Sequence, residues 1–200
     1  MKQYRIVLTL ALLLATMTFV CPVNAQNTLP TATRALQLSA FGAVGGDYTG
    51  LRGGKNFDII AGGDLGLPPW HGVRPTVEVR GTYPSDHGLV DSQKSILGGL
   101  KVDFLLNRRL HPYGDFLFGR GQMDYNGQYL YANHFYVLTT TYVYSPGGGV
   151  DVDLNEHFTV RLDGQFQHWG ATPTPSGHVY STVGSAGLVY HFTFDRRARR

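Results

Sequence analysis

VDVDLNEHFTVRLDGQFQH, residues 150–168, decides how this chain is read. Val150, Val152 and Leu154 alternate with Asp151 and Asp153. Past a short break, Phe158, Val160, Leu162 and Phe166 alternate with Thr159, Arg161, Asp163, Gln165 and Gln167. A period of two puts successive side chains on opposite faces of an extended strand. Asn155, Glu156 and His157 leave room only for a tight turn, so two antiparallel strands meet here. Counting inward from that turn sets Asp151 opposite Arg161. One face of the hairpin is apolar and the other is charged.

The same alternation recurs along the chain, between clusters of Gly, Pro, Asn and Asp. It predicts strands at 35–44, 57–67, 73–83, 95–106, 113–123, 142–154, 158–168 and 179–194. One of them is discordant. In 113–123, Asp115 and Arg120 fall on opposite faces, which predicts a bulge or register irregularity at residues 119–121. The connections 68–72, 107–112 and 155–157 are short. Those at 45–56, 84–94, 124–141 and 169–178 are longer.

An even number of strands, with short turns at one end and long loops at the other, is the pattern of an all-β, eight-stranded antiparallel up-and-down transmembrane β-barrel. A soluble barrel has the same alternation with its faces reversed, so other features choose between the two. The strands are long enough to cross a bilayer with tilt. Aromatic residues stand near strand ends as interfacial girdles would: Phe57, Tyr83, Phe104, Tyr113, Phe158, Tyr190 and Phe192. The only cysteine, Cys21, lies before the barrel, so closure and lipid, not disulfides, are left to stabilise it.

The N-terminus fits this compartment. Lys2 and Arg5 precede an apolar run over residues 6–20, and Val23-Asn24-Ala25 supplies the small residues of a processing site. This reads as a cleaved signal peptide over residues 1–25, followed by a periplasmic segment 26–34, the barrel 35–194 and a basic periplasmic tail 195–200. The formal net charge of +3 overstates the basicity of the barrel. Much of it resides in the leader and in Arg196, Arg197, Arg199 and Arg200, so no nucleic-acid footprint remains.

The eight-strand plan, the inward charges and the closing Leu188-Val189-Tyr190-His191-Phe192 resemble the outer-membrane β-barrel domain family that includes OmpA-like and opacity-like proteins. The likeness covers residues 35–194. It implies an outer-membrane location, contact with outer-membrane lipid and a monomeric barrel. It also implies an assembly signal in Leu188, Tyr190, Phe192 and Phe194, read by the barrel-assembly machinery. Chains of this family usually end on the aromatic itself, whereas here residues follow Phe194.

An eight-stranded barrel is only wide enough for side chains, and charges buried inside it must pair. The predicted lumen network is Asp58, Asp64, Arg74, Glu78, Arg80, Lys101, Asp103, Asp151, Asp153, Arg161 and Asp163. The turn at 68–72 is expected to bring Asp64 near Arg74 and Asp58 near Arg80. Pro146-Gly147-Gly148-Gly149 is read as a place where a strand bends or packs closely.

No catalytic, cofactor or metal site is predicted. The eight histidines make no two-ligand spacing on one strand face. His178 and Ser181 fall on opposite faces, and no nucleophile-elbow spacing occurs. The expected role is structural or surface-interacting, with the long loops extracellular and able to take a ligand. Tyr125, Tyr129, Tyr131, His134, Phe135 and Tyr136 either form an aromatic loop surface or extend a hairpin. The alternatives are a narrow pore for small solutes or ions and, less favoured, an outer-membrane lipid-modifying enzyme.

Overall fold

The computed structural model describes residues 36–48, 55–86, 91–170, 172 and 174–192. The expected signal peptide, the segment 26–34, Phe194 and the arginine tail lie outside the described residues. The described residues form β1 (Gln37–Tyr48), β2 (Lys55–Gly66), β3 (Val73–Asp86), β4 (Asp91–Phe104), β5 (Leu110–Tyr131), β6 (His134–Asp153), β7 (Phe158–Gly170) and β8 (His178–Phe192). Each strand pairs antiparallel with its chain neighbours, and β8 returns to β1, with Leu38 opposite Phe192 and Tyr48 opposite Thr182. The result is a closed eight-stranded barrel. Closure leaves no open sheet edge, the condition for strands to cross an apolar medium.

Alternation fixes which way each side chain points. Val44, Ile59, Val77, Val79, Ile96, Leu100, Phe116, Leu162, Phe166 and Leu188 are exposed on the outer wall. Glu78, Arg80, Lys101 and Arg161 are buried inside. The barrel is therefore inverted relative to a soluble one. The steps from Phe158 to His168 on β7, at about 3.3 Å each and tilted about 40°, span about 25 Å, the height of the apolar band on outer-membrane barrels. Phe104, Phe158, Tyr190 and Phe192 mark its short-turn edge, and Phe57, Tyr83, Tyr142 and Tyr180 its other edge; all are exposed.

Two expectations are corrected. Tyr113 is not in the girdle: it points into the lumen and is buried, because an odd-numbered residue of β5 shares the inward face with Asp115 and Leu117. The irregularity at residues 119–121 does not occur either. β4 and β5 pair without a break from Asp91 opposite Tyr125 to Asp103 opposite Tyr113. Arg120 simply points outward, near the long-connection edge, with its guanidinium 5.3 Å from the centroid of the Tyr142 ring. A long cationic side chain there reaches the polar interface while its stem covers apolar wall.

β5 and β6 are 22 and 20 residues long, against 12 to 15 for the other strands. Of the two readings of residues 124–141, the extended hairpin is the one formed. The β5–β6 register shifts between Asp124 and Tyr129, then resumes with Tyr129 opposite Tyr136. Ala132 and Asn133, with φ of 49° and 63°, make the turn. Two positive φ values in a two-residue loop match the right-handed twist of a hairpin.

Candidate functional site in the barrel lumen

The lumen divides into two halves. Toward the short turns lies a charge cluster built on three cations. The Arg161 guanidinium donates Nε to Asp151 Oδ1 at 2.8 Å and Nη2 to Asp151 Oδ2 at 2.9 Å, and Nη2 also reaches Asp64 Oδ2 at 2.7 Å. The Lys101 ammonium sits 3.0 Å from both Asp151 Oδ2 and Asp103 Oδ1, and 3.6 Å from Asp64 Oδ2. Arg80 donates Nε to Glu78 Oε1 at 2.8 Å and Nη1 to Asp163 Oδ1 at 2.6 Å.

Neutral donors add to the shells of three of the carboxylates. Tyr113 donates to Asp163 at 2.6 Å, Thr76 to Asp103 at 2.8 Å, and the Gln165 amide to Asp115 at 2.8 and 3.0 Å. Aromatic faces cover the cations. Arg161 lies 4.8 Å from the Phe41 centroid and 5.3 Å from that of Tyr113, and Lys101 lies 4.4 Å from Tyr113. Such contacts are strongest where water is excluded. Gly149 makes the arrangement possible: a Cβ there would strike the Leu162 carbonyl and the Tyr113 phenol. This is the close packing expected of the 146–149 run.

At the short-turn mouth a cavity of about 140 Å³ is lined by Ser39, Arg74, Asp103, His111, Asp153 and His191, among others. Ser39 Oγ lies 2.7 Å from His191 Nδ1. His191 Nε2 lies 2.9 Å from Thr159 Oγ1, which donates to Asp153 Oδ1 at 2.6 Å. The Gln37 amide also donates to His191 Nδ1, at 3.0 Å. With Nδ1 accepting and Nε2–H donating, the bonds from Ser39 through His191 and Thr159 to Asp153 run donor to acceptor, and the Gln37 amide shares the one Nδ1 lone pair with Ser39. The chain ties β1, β6, β7 and β8 together across the closing seam.

The other half of the lumen has an apolar block from β4 to β8 and a polar wall that includes Asp47, Asn56, Asp58 and Gln93. Leu97, Leu117, Met123, Tyr125, Val143, Trp169 and Val179 form the apolar block, while a second buried cluster of Phe41, Ile60, Val183 and Val189 runs along β1, β2 and β8 down to Arg161. Trp169 is 1 % exposed and packs over β6 against Gly121 of β5, its indole N–H donating to Gln167 Oε1 at 3.1 Å. Gly121 leaves the space for it, since a Cβ there would overlap the indole ring.

The sequence-predicted residues fall out as follows. Asp64, Glu78, Arg80, Lys101, Asp103, Asp151, Arg161 and Asp163 come together, and Asp151 stands directly opposite Arg161. Two expected pairs do not form. Asp64 meets Arg161 and Lys101, not Arg74, and Arg80 meets Glu78 and Asp163, not Asp58. The turn after β2 tightens around a Trp70–Val73 bridge, so Asp64 lies opposite Glu78 and Asp58 opposite Pro84. Arg74 remains at the mouth, bonded to Gln37. Asp153 is also at the mouth, 3.0 Å from His111 Nε2. Leu188, Tyr190 and Phe192 are exposed on the outer face of β8.

Sequence reasoning missed Asp115, Tyr113 and Gln165 as network members, and the Ser39–His191 contact. Asp115 was recoverable by parity with Lys101, its partner on β4. Ser39 and His191 meet only because the first strand closes on the last, which no local pattern reveals.

No protein-family model and no curated protein matches the sequence. Solved structures do match. Neisserial surface protein A is 15 % identical, with 78 % of this chain and 97 % of that one covered and a TM-score of 0.53. Ail, the attachment invasion locus protein of Yersinia pestis, in complex with the heparin analogue sucrose octasulfate, is 12 % identical, with 78 % and 97 % covered and a TM-score of 0.50. At such identities the likeness speaks to architecture, and on that level it agrees with the strand order, the closure and the inverted faces: this chain has the fold of the eight-stranded outer-membrane β-barrels.

Proposed function

We propose that this chain is an integral outer-membrane protein in which a sealed, monomeric barrel serves as anchor and the long β5–β6 hairpin as an extracellular interaction surface. The observation that carries the reading is the hairpin. It continues well past the belt edge at Arg120 and Tyr142, and Leu130, Phe135, Val137 and Leu138 stay exposed on it. Apolar side chains held out in water on a paired, rigid element mark a contact surface for a partner. The uncharged outer belt supports lipid as the barrel's surroundings, and the outward Leu188, Tyr190 and Phe192 support recognition of β8 by the barrel-assembly machinery. The short turns, the start of β1 and the end of β8 then face the periplasm.

The apolar cluster around Leu97, Leu117 and Trp169 favours an anchor over a pore, because these buried side chains fill the lumen beside the polar wall of Asp47, Asp58 and Gln93. The Ser39–His191 contact is read as a clasp, not as catalytic machinery: it lies at the periplasmic mouth, inside the barrel, away from any acyl chain. An epitope inserted between Ala132 and Asn133 tests the orientation. Antibody is expected to bind it on intact cells. Binding only after the outer membrane is permeabilised would contradict the reading.

A further inference from the structure

The charge cluster does not reach two carboxylates higher in the lumen. Asp58 is 1 % exposed, and neither of its oxygens has a hydrogen-bond partner. Asp47 is 5 % exposed and accepts a hydrogen bond from the Ser181 hydroxyl. The β1–β2 register sets Asp47 opposite Asn56 and Gly45 opposite Asp58. Both carboxylates therefore point inward as diagonal neighbours, about 7–8 Å apart at the backbone, and the charge of one acts on the other. On the far side of β3, Gln93 is 3 % exposed, and neither its amide nitrogen nor its amide oxygen has a partner.

Among the described residues no lysine or arginine answers this pair. Arg80 is engaged below by Glu78 and Asp163, and Lys94 lies outside, against Asp124. Two neighbouring carboxylates without a counter-charge in a low-dielectric interior are strongly unfavourable. The donors on this wall are all oxygens: two carboxylates, the Asn56 and Gln93 amides and the Ser181 hydroxyl. Oxygen-only sets of this kind take hard cations and exclude soft ones.

We propose that the long-connection half of the lumen holds a divalent hard cation, calcium foremost, bound by Asp47 and Asp58 with amide and hydroxyl oxygens of Asn56, Gln93 and Ser181 completing its shell. The ion's two charges neutralise the carboxylate pair and give the orphaned Asp58 and Gln93 oxygens a partner. Histidine spacing pointed to no metal in the sequence, and an oxygen-only site assembled from β1, β2, β4 and β8 has no spacing to read. The inference does not depend on which end of the barrel faces outward.

The test uses the purified, chelator-stripped barrel in detergent, with calcium chloride as the probe and potassium chloride at matched ionic strength as the screening control. Calcium is expected to bind once per chain in equilibrium dialysis, with a dissociation constant on the order of 10⁻⁴–10⁻³ M. At ten times that concentration the unfolding equilibrium constant should fall about tenfold. Asp58→Asn is expected to abolish the shift, to unfold no more readily than wild type without calcium, and to leave Asp124→Asn as the variant that keeps the full shift. Should Asp58→Asn not fold, Asp47→Asn is expected to weaken calcium binding at least tenfold. No calcium-dependent shift in the wild type, or an equal shift in Asp58→Asn or Asp47→Asn, overturns the proposal; the first result would mean that protons alone neutralise the pair.

Discussion

In the short-turn half of the lumen, Arg80, Lys101 and Arg161 stand among Asp64, Glu78, Asp103, Asp115, Asp151 and Asp163. In the long-connection half, Leu97, Leu117, Val143 and Trp169 pack as an apolar block beside the polar wall of Asp47, Asp58 and Gln93. Both halves are filled largely by side chains, because an eight-stranded barrel has room for little else. The filling follows different rules in each. The charged half is specified by pairing, and each member's contribution depends on which partners remain. The apolar half is specified by volume, and losing a ring there leaves a hole that the rigid wall cannot collapse to fill. The halves should therefore fail differently when they are cut.

The largest effects are expected in the charged half. Cations are the scarcer species there, so removing one strands several carboxylates. Arg161→Met should destabilise by about 3–5 kcal/mol, the usual cost of breaking a buried ion pair. Asp151→Leu should cost less, because Arg161 keeps Asp64 and Lys101 keeps Asp103 and Asp64. The double variant should cost less than the sum of the two, but should not return to wild type, since Asp64 still loses Arg161. Urea unfolding of all four proteins in lipid vesicles measures the coupling. Additive effects would mean that the half is not a network.

Trp169→Ala should also cost about 3–5 kcal/mol, but in a different manner. Combined with Arg161→Met, on the same strand but far along it, its effect should add. Coupling between them would merge the two halves into one cooperative core and break the comparison.

A smaller effect is expected on the wall that both halves share. Val77→Arg places a charge on the lipid face and should cost about 2–4 kcal/mol near the midplane. A cysteine at 77 should react with a bilayer-soluble probe, and one at 78 should not, because Val77 is 40 % exposed and Glu78 is 0 % exposed. The reverse pattern would turn the barrel inside out.

How much of this was written in the chain depends on the distance over which a residue's partner is fixed. Asp151 opposite Arg161 was legible because a three-residue turn leaves no freedom of register. Asp64 opposite Arg74 was not. A longer turn can tighten or loosen, and here the Trp70–Val73 bridge carries the pairing past Arg74. Parity told inside from outside for nearly every strand. It misled at Tyr113 because an aromatic near a strand end was taken for a girdle residue without regard to its parity. It misled again at Arg120, because an exposed arginine on the apolar wall was taken for a broken register. The division of the lumen was hidden for another reason. Leu97, Leu117 and Trp169 occupy inward positions, but nothing local says that three such residues from β4, β5 and β7 meet at one height; only the closed register aligns them.

The central claim is that the apolar half seals the barrel. Single-channel recording in a planar bilayer tests it most directly. The wild-type protein should insert without adding discrete conductance above the lipid baseline, and Trp169→Ala, which removes the largest side chain of the seal, should be the first variant to leak. Resolved, voltage-stable current steps from the wild type would contradict the account and make the chain a narrow pore.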